Sequence, residues 1–239
     1  MNTKIVLAAI LIIAAVGGAV WYWVNNDRPQ KQVQDNVGGA PAVDSADGSS
    51  HAALPDGEYV IDSARSELKW EAKKKLIVGY TDRGTIKVSD GSFTVADGAI
   101  VSGSAVVDVN SIAVASTGSG KDESRLARHL KSPDFFDATT YPTAKIVLTK
   151  SEKLEGDISR NDFNILADLT IKGITNPVVF PAKIYQSSAN IIAEAAVALD
   201  RSKWNVRYGS ETFFDNLGNN IIENNFTVYL KAVAVKKSP

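Results

Sequence analysis

Few residues of the chain are of the types that usually carry out catalysis. Cysteine is absent, and the two histidines are His51 and His129. A Ser-His-Asp set would have to use one of these histidines, and no Gly-x-Ser-x-Gly element is present to hold a nucleophile. Asp134 and Asp137 could form an acid–base pair, but they flank a turn in which carboxylates normally accept backbone N–H groups. We therefore predict no catalytic residue and no enzymatic activity.

The composition excludes several other kinds of site. Without cysteine the chain has no disulfide, no thiolate metal site and no lipid attachment through an N-terminal cysteine. His51 and His129 are placed too differently to form a histidine metal site, although carboxylates alone would suffice for calcium. Residues 116–121, STGSGK, lack the spacing of a phosphate-binding loop. A net charge of -1 gives no basic field for nucleic acid. We predict no metal site and no nucleic-acid partner.

The N-terminal residues have the composition of a membrane segment followed by a linker. Residues 5–24 are an uncharged run of about 20 residues, enough helix to cross a bilayer, and the run ends on interfacial aromatic residues. We interpret residues 1–24 as a transmembrane helix that is kept as an anchor, with a cleaved signal peptide as the alternative. Residues 25–55, rich in Gly, Ala, Ser and Asp, form a flexible linker. Residues 56–239 would then be a domain in the periplasm or on the exported face of the cell membrane.

This last domain has the period of β-strands. Residues 163–171, FNILADLTI, alternate apolar and other side chains, and residues 178–184 repeat the pattern. Lys172 and Gly173 supply turn residues between the two runs. Similar runs along the domain add up to eight or more antiparallel strands, which is typical of a sandwich or a barrel. Pro181 lies inside one run and indicates an edge, a bend or a bulge there.

One helix interrupts the strands. Residues 121–132, KDESRLARHLKS, begin with acidic residues and place Leu126 and Leu130 four positions apart on one face. The Ser-Pro pair at the end of this segment fits the start of a second short helical turn. That turn carries Phe135 and Phe136, which are adjacent and must point in different directions. We expect one of the two rings to enter the core and the other to cover a rim.

The segment from His129 onward, HLKSPDFFDATTYPTAKI, resembles the signature of the YceI-like family. The similarity extends over about residues 57–235, and three further segments agree with the family in order: NSI at 110–112, LTIKGITNPVVFPA at 169–182, and LDRSKWNVRYGS with FFDNLGNNIIENNFTVYL within 199–230. The resemblance implies an all-β fold, an extended eight-stranded antiparallel lipocalin-like β-barrel with one short helix, here preceded by the N-terminal transmembrane helix. Such a barrel can enclose an apolar tunnel for a polyisoprenoid lipid.

The resemblance also points to ligand-binding residues near the helix. Family members often carry a histidine in a Gly-x-His-x-Gly element, whereas this chain reads VGYTDRGTI. Either Tyr80 or Arg83 could replace that histidine, and Arg83 is a phosphate-binding fork or an exposed loop charge. His129 either stabilises the C-terminal end of its helix or contacts a lipid headgroup.

Aromatic and arginine residues further along the chain complete the set. Arg201 and Trp204 either form a headgroup clamp or support a corner of the barrel. Phe213 and Phe214 form a second pair of adjacent phenylalanines. If this pair meets Phe135 and Phe136, the four rings would form a core plug or a gate. The candidate ligand-binding residues are Tyr80, Arg83, His129, Phe135, Phe136, Tyr141, Arg201, Trp204, Phe213 and Phe214.

Together these features predict a function in the bacterial cell envelope. We expect the barrel to bind or carry an isoprenoid lipid or a quinone, with no cofactor other than such a bound lipid. Each buried methylene contributes about 0.8 kcal/mol, so a prenyl tail can bind without catalytic groups. The alternative is a protein-interaction or envelope-stress module whose barrel is filled by its own side chains. The N-terminal helix would make the membrane a second partner, and a homodimer is compatible with the sequence.

Overall fold

A computed structural model of the chain describes residues 49–50, 53–154 and 162–238. The helix is α1 (Glu123–Lys131), and short 3-10 turns lie at Arg201–Trp204 and Gly218–Asn220. The strands, in chain order, are β1 (Ser49–Ser50), β2 (Gly57–Ile61), β3 (Glu67–Lys73), β4 (Thr81–Ala96), β5 (Ala99–Ser116), β6 (Thr143–Lys153), β7 (Asp162–Ile171), β8 (Ile174–Ser187), β9 (Asn190–Asp200) and β10 (Asn225–Lys236).

The interpretations of residues 1–24 and 25–55 as anchor and linker fall almost entirely outside the described residues. Within the part of the chain that is described, no helix has the length and the apolar character needed to span a membrane.

The strands from β2 to β10 close into an eight-stranded antiparallel barrel. β2 and β3 share one position in its wall, because each of them pairs with β10 on one side and with β4 on the other. Leu68 of β3, for example, lies between Leu230 and Ile86. The other neighbours along the wall are consecutive in the chain, from β4 to β10. The predicted all-β barrel with one short helix is therefore confirmed.

Several local predictions are also confirmed. Lys172 and Gly173 form the two-residue turn between β7 and β8, and both have positive φ, 49° and 72°, as a type I′ hairpin turn requires. The inward side chains of β7 are buried as the alternation predicts. Pro181 keeps the regular register of β8 with β7, and it immediately precedes Ala182, where the pairing of β8 with β9 begins. A proline, which lacks a backbone N–H, is tolerated at such a boundary.

The interruption between β2 and β3 is closed by side-chain and turn contacts. The N–H of Asp62 donates to the Val233 carbonyl (2.8 Å), and the Val233 N–H donates to the Ser66 hydroxyl (3.0 Å). The carboxylate of Asp62 in turn accepts the N–H groups of Ala64 and Arg65 (3.0 and 3.1 Å). Val233 is buried, so these contacts satisfy backbone groups of β10 that would otherwise lack a partner.

The two ends of the barrel are packed differently. At the end that carries the β4–β5 and β8–β9 turns, which we call the packed end, large side chains fill the interior, among them Tyr59, Val95, Phe163, Phe180, Ile184 and Ile191. The rings of Tyr59 and Phe93 stack there with centroids 5.4 Å apart. The opposite end, which we call the α1 end, carries residues 74–80, 117–142, 172–173 and 201–224 as connections between strands. These connections, including α1, cover a less densely filled interior.

Replacement of Ser66 tests the contacts of Asp62 and Ser66 with Val233, which we call the clip between β2 and β3. Ser66→Ala leaves the buried N–H of Val233 without its acceptor, and an unsatisfied buried donor costs about 1–3 kcal/mol. We expect the free energy of unfolding, measured by urea titration, to fall by that amount. Ser63→Ala, in the same turn but exposed, is the matched control and should change it by less than about 0.5 kcal/mol. Equal stability of the two variants would contradict the role given to Ser66.

Candidate functional site

The barrel contains an apolar cavity of about 280 Å³ that is partly open to solvent. It lies between the packed end and the connections of the α1 end, because the inward side chains of this middle region are mostly aliphatic rather than aromatic. Its wall is formed by inward residues of several strands, among them Leu68, Ile86, Val107, Val178, Val228 and Leu230. Leu126 and Leu130 of α1, with Phe135 and Phe136, border it at the α1 end. This space suits an apolar molecule or chain.

Phe135 and Phe136 border the cavity in different ways. Phe135 is buried, with its ring centroid 4.9 Å from that of His129 and 5.1 Å from that of Tyr208. The rings of His129 and Tyr208 also meet edge to face at 4.5 Å. These three rings join the end of α1 to the segment of residues 201–224. Phe136 is half-buried and packs against both smaller apolar clusters of the α1 end.

His129 has a polar contact as well. Its Nε2 lies 3.4 Å from a carboxylate oxygen of Asp134, and its backbone carbonyl accepts the N–H (3.1 Å) and hydroxyl (2.7 Å) of Ser132. The imidazole thus lies among protein groups at the end of α1, beside the cavity wall.

Arg201 borders the cavity and is buried. Its Nε donates to the carbonyl of Glu223 (3.1 Å), its Nη1 to those of Val206 and Tyr208 (2.9 Å each), and its Nη2 to that of Ile222 (3.1 Å). Burial lowers the pKa of this guanidinium to about 10. Because four carbonyls occupy its donors, Arg201 holds the connection between β9 and β10 in place, which is the supporting position at a barrel corner.

Trp204, three residues later, is also buried within this corner. Its Nε1 donates to the carbonyl of Leu169 (3.0 Å), and its ring packs with Ile171 and Leu199. The indole therefore ties the β9–β10 connection to the end of β7 rather than bordering the cavity.

Asp82 places a carboxylate at the α1 end of the cavity. It accepts the N–H of Gly118 (2.9 Å) and a hydrogen bond from the Tyr80 hydroxyl. Burial raises the pKa of Asp82 above its ordinary value, against the lowering effects of these two hydrogen bonds and of the Lys74 charge. Burial, and then the charge of Asp82, raise the pKa of Tyr80 too. The carboxylate is thus held in an apolar setting with few compensating charges.

Trp70 supplies a second polar group, since its buried Nε1 has no hydrogen-bond partner within the described part of the chain. The indole borders the cavity and lies against Gly84 on the neighbouring strand. A Cβ at Gly84 would come 2.5 Å from a ring carbon of Trp70 and 1.9 Å from the carbonyl oxygen of Ala113. Glycine at this position therefore permits the close approach of the indole.

The remaining candidates lie outside the cavity wall. Arg83 points outward, and its Nε donates to Glu71 at 3.0 Å. Tyr80 contacts the cavity only through Asp82. Tyr141 packs over the β7–β8 turn, where a Cβ on Gly173 would come 3.1 Å from its ring.

Phe213 and Phe214 lie beneath the guanidinium of Arg207, at 4.8 and 5.6 Å from their ring centroids. Among the described residues no ring contact joins them to Phe135 or Phe136. The ring of the 201–224 segment that meets Phe135 is that of Tyr208.

Sequence reasoning did not single out Trp70 or Asp82 as binding residues, and it placed Tyr208 only within the stretch of aromatic and arginine residues at 199–215. Trp70 alternates with Leu68 in the run SELKWEAK, so its inward position followed from the period of two. The inward position of Asp82 is harder to find, because its strand begins only at Thr81. No cluster of three or more His, Asp or Glu side chains in the described ranges could hold a metal ion.

Comparison with known proteins identifies relatives of the barrel. Protein YceI of Shigella flexneri is 35% identical over 101 residues, which are 42% of this chain and 48% of that relative. A UPF0312 protein of Shewanella denitrificans is 29% identical over 133 residues, 54% of this chain and 63% of that relative. The similar segments thus span about half to less than two thirds of these relatives.

Solved structures share the fold. BcnA of Burkholderia cenocepacia matches with a TM-score of 0.55 at 24% identity, over 73% of this chain and 99% of that chain. A domain from Saccharophagus degradans, described as polyisoprenoid-binding and implicated in plant cell wall breakdown, matches with a TM-score of 0.54 at 16% identity, over 75% and 98% of the two chains. The sequence profile of the YceI-like domain matches residues 59–234, which is most of this chain. The chain therefore belongs to the YceI-like family.

Proposed function

We propose that the barrel binds an isoprenoid lipid or a quinone with its prenyl chain in the cavity. The observation that carries this proposal is the apolar cavity beside α1, which favours a lipid-binding interior over a barrel filled by its own side chains. A fold relative described as polyisoprenoid-binding supports the same ligand class. Since each methylene removed from water contributes about 0.8 kcal/mol, a few isoprene units suffice for binding.

The size of the cavity limits how much of a chain is enclosed. Its volume of about 280 Å³ lies near the lower end of ligand pockets, which are about 300–1,000 Å³. Phe180 belongs both to the cavity wall and to the packed end, where it forms the floor. We infer that the cavity takes a short prenyl segment unless the floor moves.

Apart from Lys145, which is exposed and can keep its ammonium in water, the polar groups of the cavity wall favour a ligand head group without charge. Trp70 offers an N–H that needs an acceptor, and Asp82 would repel an anion. The two arginines suited to a phosphate are already engaged, Arg201 with four carbonyls and Arg83 with Glu71 outside the barrel. A quinone-type carbonyl fits this arrangement better than a phosphate does. Phe135, Phe136 and His129 would close the cavity beside such a head.

The setting we propose is the bacterial cell envelope. The apolar run of residues 5–24 would hold the barrel at the exported face of the membrane, where isoprenoid lipids and quinones are present. The isoprenoid lipid and the membrane are then the two partners, and the bound lipid is the only cofactor-like molecule. A homodimer stays a prediction.

Lipid extraction tests the proposal directly. The full chain would be purified in mild detergent from a bacterium that makes quinones and polyprenyl lipids, and its organic extract analysed by mass spectrometry. We expect about one isoprenoid per chain, because the cavity shields the tail from exchange with detergent. An empty barrel that also fails to take up added prenyl lipids would overturn the proposal and favour an interaction module.

Filling the cavity provides a variant that separates bound lipid from lipid in the micelle. Ala105 of β5 lies in the cavity wall, and Ala105→Phe would occupy space needed by the chain. We expect the recovered isoprenoid to fall at least tenfold. Ala115→Phe on the exposed face of the same strand is the matched control and should keep the lipid. Equal recovery from both variants would argue against binding within the cavity.

Removal of the indole N–H of Trp70 tests whether this group binds the head group of the ligand. Trp70→Phe keeps an aromatic ring but loses the N–H, and a hydrogen bond contributes about 0.5–1.5 kcal/mol. We expect the affinity for a quinone with two isoprene units, measured by calorimetry, to fall about threefold to tenfold. A diprenyl phosphate should bind the parent chain more weakly than the quinone and be insensitive to the substitution. Tighter binding of the phosphate would contradict the proposed head while leaving the prenyl site in place.

A further inference from the structure

The connection between β3 and β4 carries an exposed apolar tip. At its centre Val78 is fully exposed, and Leu76 is 55% exposed. Single exposed aliphatic residues are common on protein surfaces, but two of them in one connection form apolar surface that the described residues leave largely uncovered. We call residues 76–78 the apolar tip.

The base of this connection is held in place by backbone hydrogen bonds. The N–H of Lys75 donates to the carbonyl of Ile221 (3.1 Å), and the N–H of Tyr80 donates to that of Ile77 (3.1 Å). A backbone bridge also pairs Lys74 with Ile222. The apolar tip is therefore presented on a fixed support at the α1 end.

Three consecutive lysines precede the apolar tip. Lys73 lies 3.4 Å from a carboxylate oxygen of Glu71, and Lys75 pairs with Glu211. The ammonium of Lys74 lies 4.8 Å from the centroid of the Tyr80 ring. Exposed ion pairs of this kind are weak, so the lysines can exchange them for other anions. Positive charge therefore lies on the N-terminal side of the apolar tip, beside the carboxylates of Glu71 and Glu211.

An exposed aromatic ring and a further cation lie in the segment that Lys75 contacts. The ion pair between Lys75 and Glu211 joins the base of the tip to this segment, which contains Arg207 and Phe214. Phe214 is 46% exposed, and the guanidinium of Arg207 lies 5.6 Å from its ring centroid. Exposed aliphatic, aromatic and cationic side chains at one end of a domain are the composition of surfaces that lie at a membrane interface.

We propose that the α1 end docks on the surface of an anionic lipid bilayer through the apolar tip. Leu76 and Val78 enter the boundary between headgroups and acyl chains, while the three lysines bind lipid phosphates. This docking goes beyond the proposed function and requires no lipid in the cavity. It is also separate from any attachment through the N-terminal residues.

Shape and charge select a bilayer rather than a protein as the partner. The tip consists of few residues, and a deformable bilayer accepts it without a complementary pocket. Anionic lipids supply negative charge that the three lysines before the tip can bind in exchange for Glu71 and Glu211. The side chains of Leu76 and Val78 gain from leaving water in proportion to their exposed area.

The absence of cysteine in the chain allows a single-site probe. Val78→Cys in the full chain would be labelled with an environment-sensitive NBD fluorophore and mixed with vesicles of phosphatidylcholine alone or with about a third phosphatidylglycerol, the anionic component that attracts lysines. Val101→Cys, 57% exposed at the start of β5 near the packed end, is the matched control. Because the label reports its own surroundings, attachment of the chain through its N-terminal residues affects both probes alike.

We expect a blue shift and quenching by brominated lipid at position 78 with anionic vesicles, and neither at position 101. Replacing Lys73, Lys74 and Lys75 by glutamine should raise the lipid concentration needed for half of the fluorescence change roughly fivefold for each lysine. Leu76→Ser should raise it further. No change at position 78, or equal changes at both positions, would overturn the proposal. A shift without vesicles that grows with protein concentration would overturn it in favour of a second copy of the chain.

Discussion

Closure of the barrel wall depends on two short strands that share one side of β10. β3 pairs with Thr227 to Lys231 of β10, and β2 pairs with Ala234 to Lys236. Between them, Asp62 and Ser66 take over the carbonyl and N–H of Val233. An unpaired backbone group at this point would face an apolar interior and destabilise the fold, or admit water to satisfy itself. A dry interior therefore depends on this clip.

Within the closed wall, side-chain size determines where empty space remains. Tyr59, Phe163 and Phe180 fill the packed end, whereas small side chains such as Ala105 and Ala144 face the middle region. Interiors usually pack as densely as organic crystals, and a void deprives its lining of dispersion contacts. The cavity therefore lowers stability in two ways, through lost dispersion contacts and through the unsatisfied N–H of Trp70. A bound ligand would supply both kinds of contact.

The sequence predicted the elements better than the site. Alternation of apolar residues predicted β7 and β8, the Lys172-Gly173 pair predicted their turn, and paired leucines predicted α1, because each of these signals is local. The family resemblance supplied the barrel and the importance of Phe135. What Arg201 does was left open, since four carbonyls from distant positions decide it. The partnerless indole of Trp70 was likewise invisible, because a missing contact is a property of the folded interior and not of any motif.

The position of the polar groups determines how a prenyl lipid would lie in the barrel. A head buried at the packed end would leave its oxygens without partners, at a cost of about 2–7 kcal/mol for each unsatisfied group. The tail of a bound lipid would therefore point to the packed end, and its head would lie near Asp82 and Trp70, at the same end as the apolar tip. A lipid drawn from a bilayer below this end would keep its head near the interface and move only its tail. Each methylene then passes from one apolar medium to another, so the transfer is nearly neutral in free energy and can run in either direction.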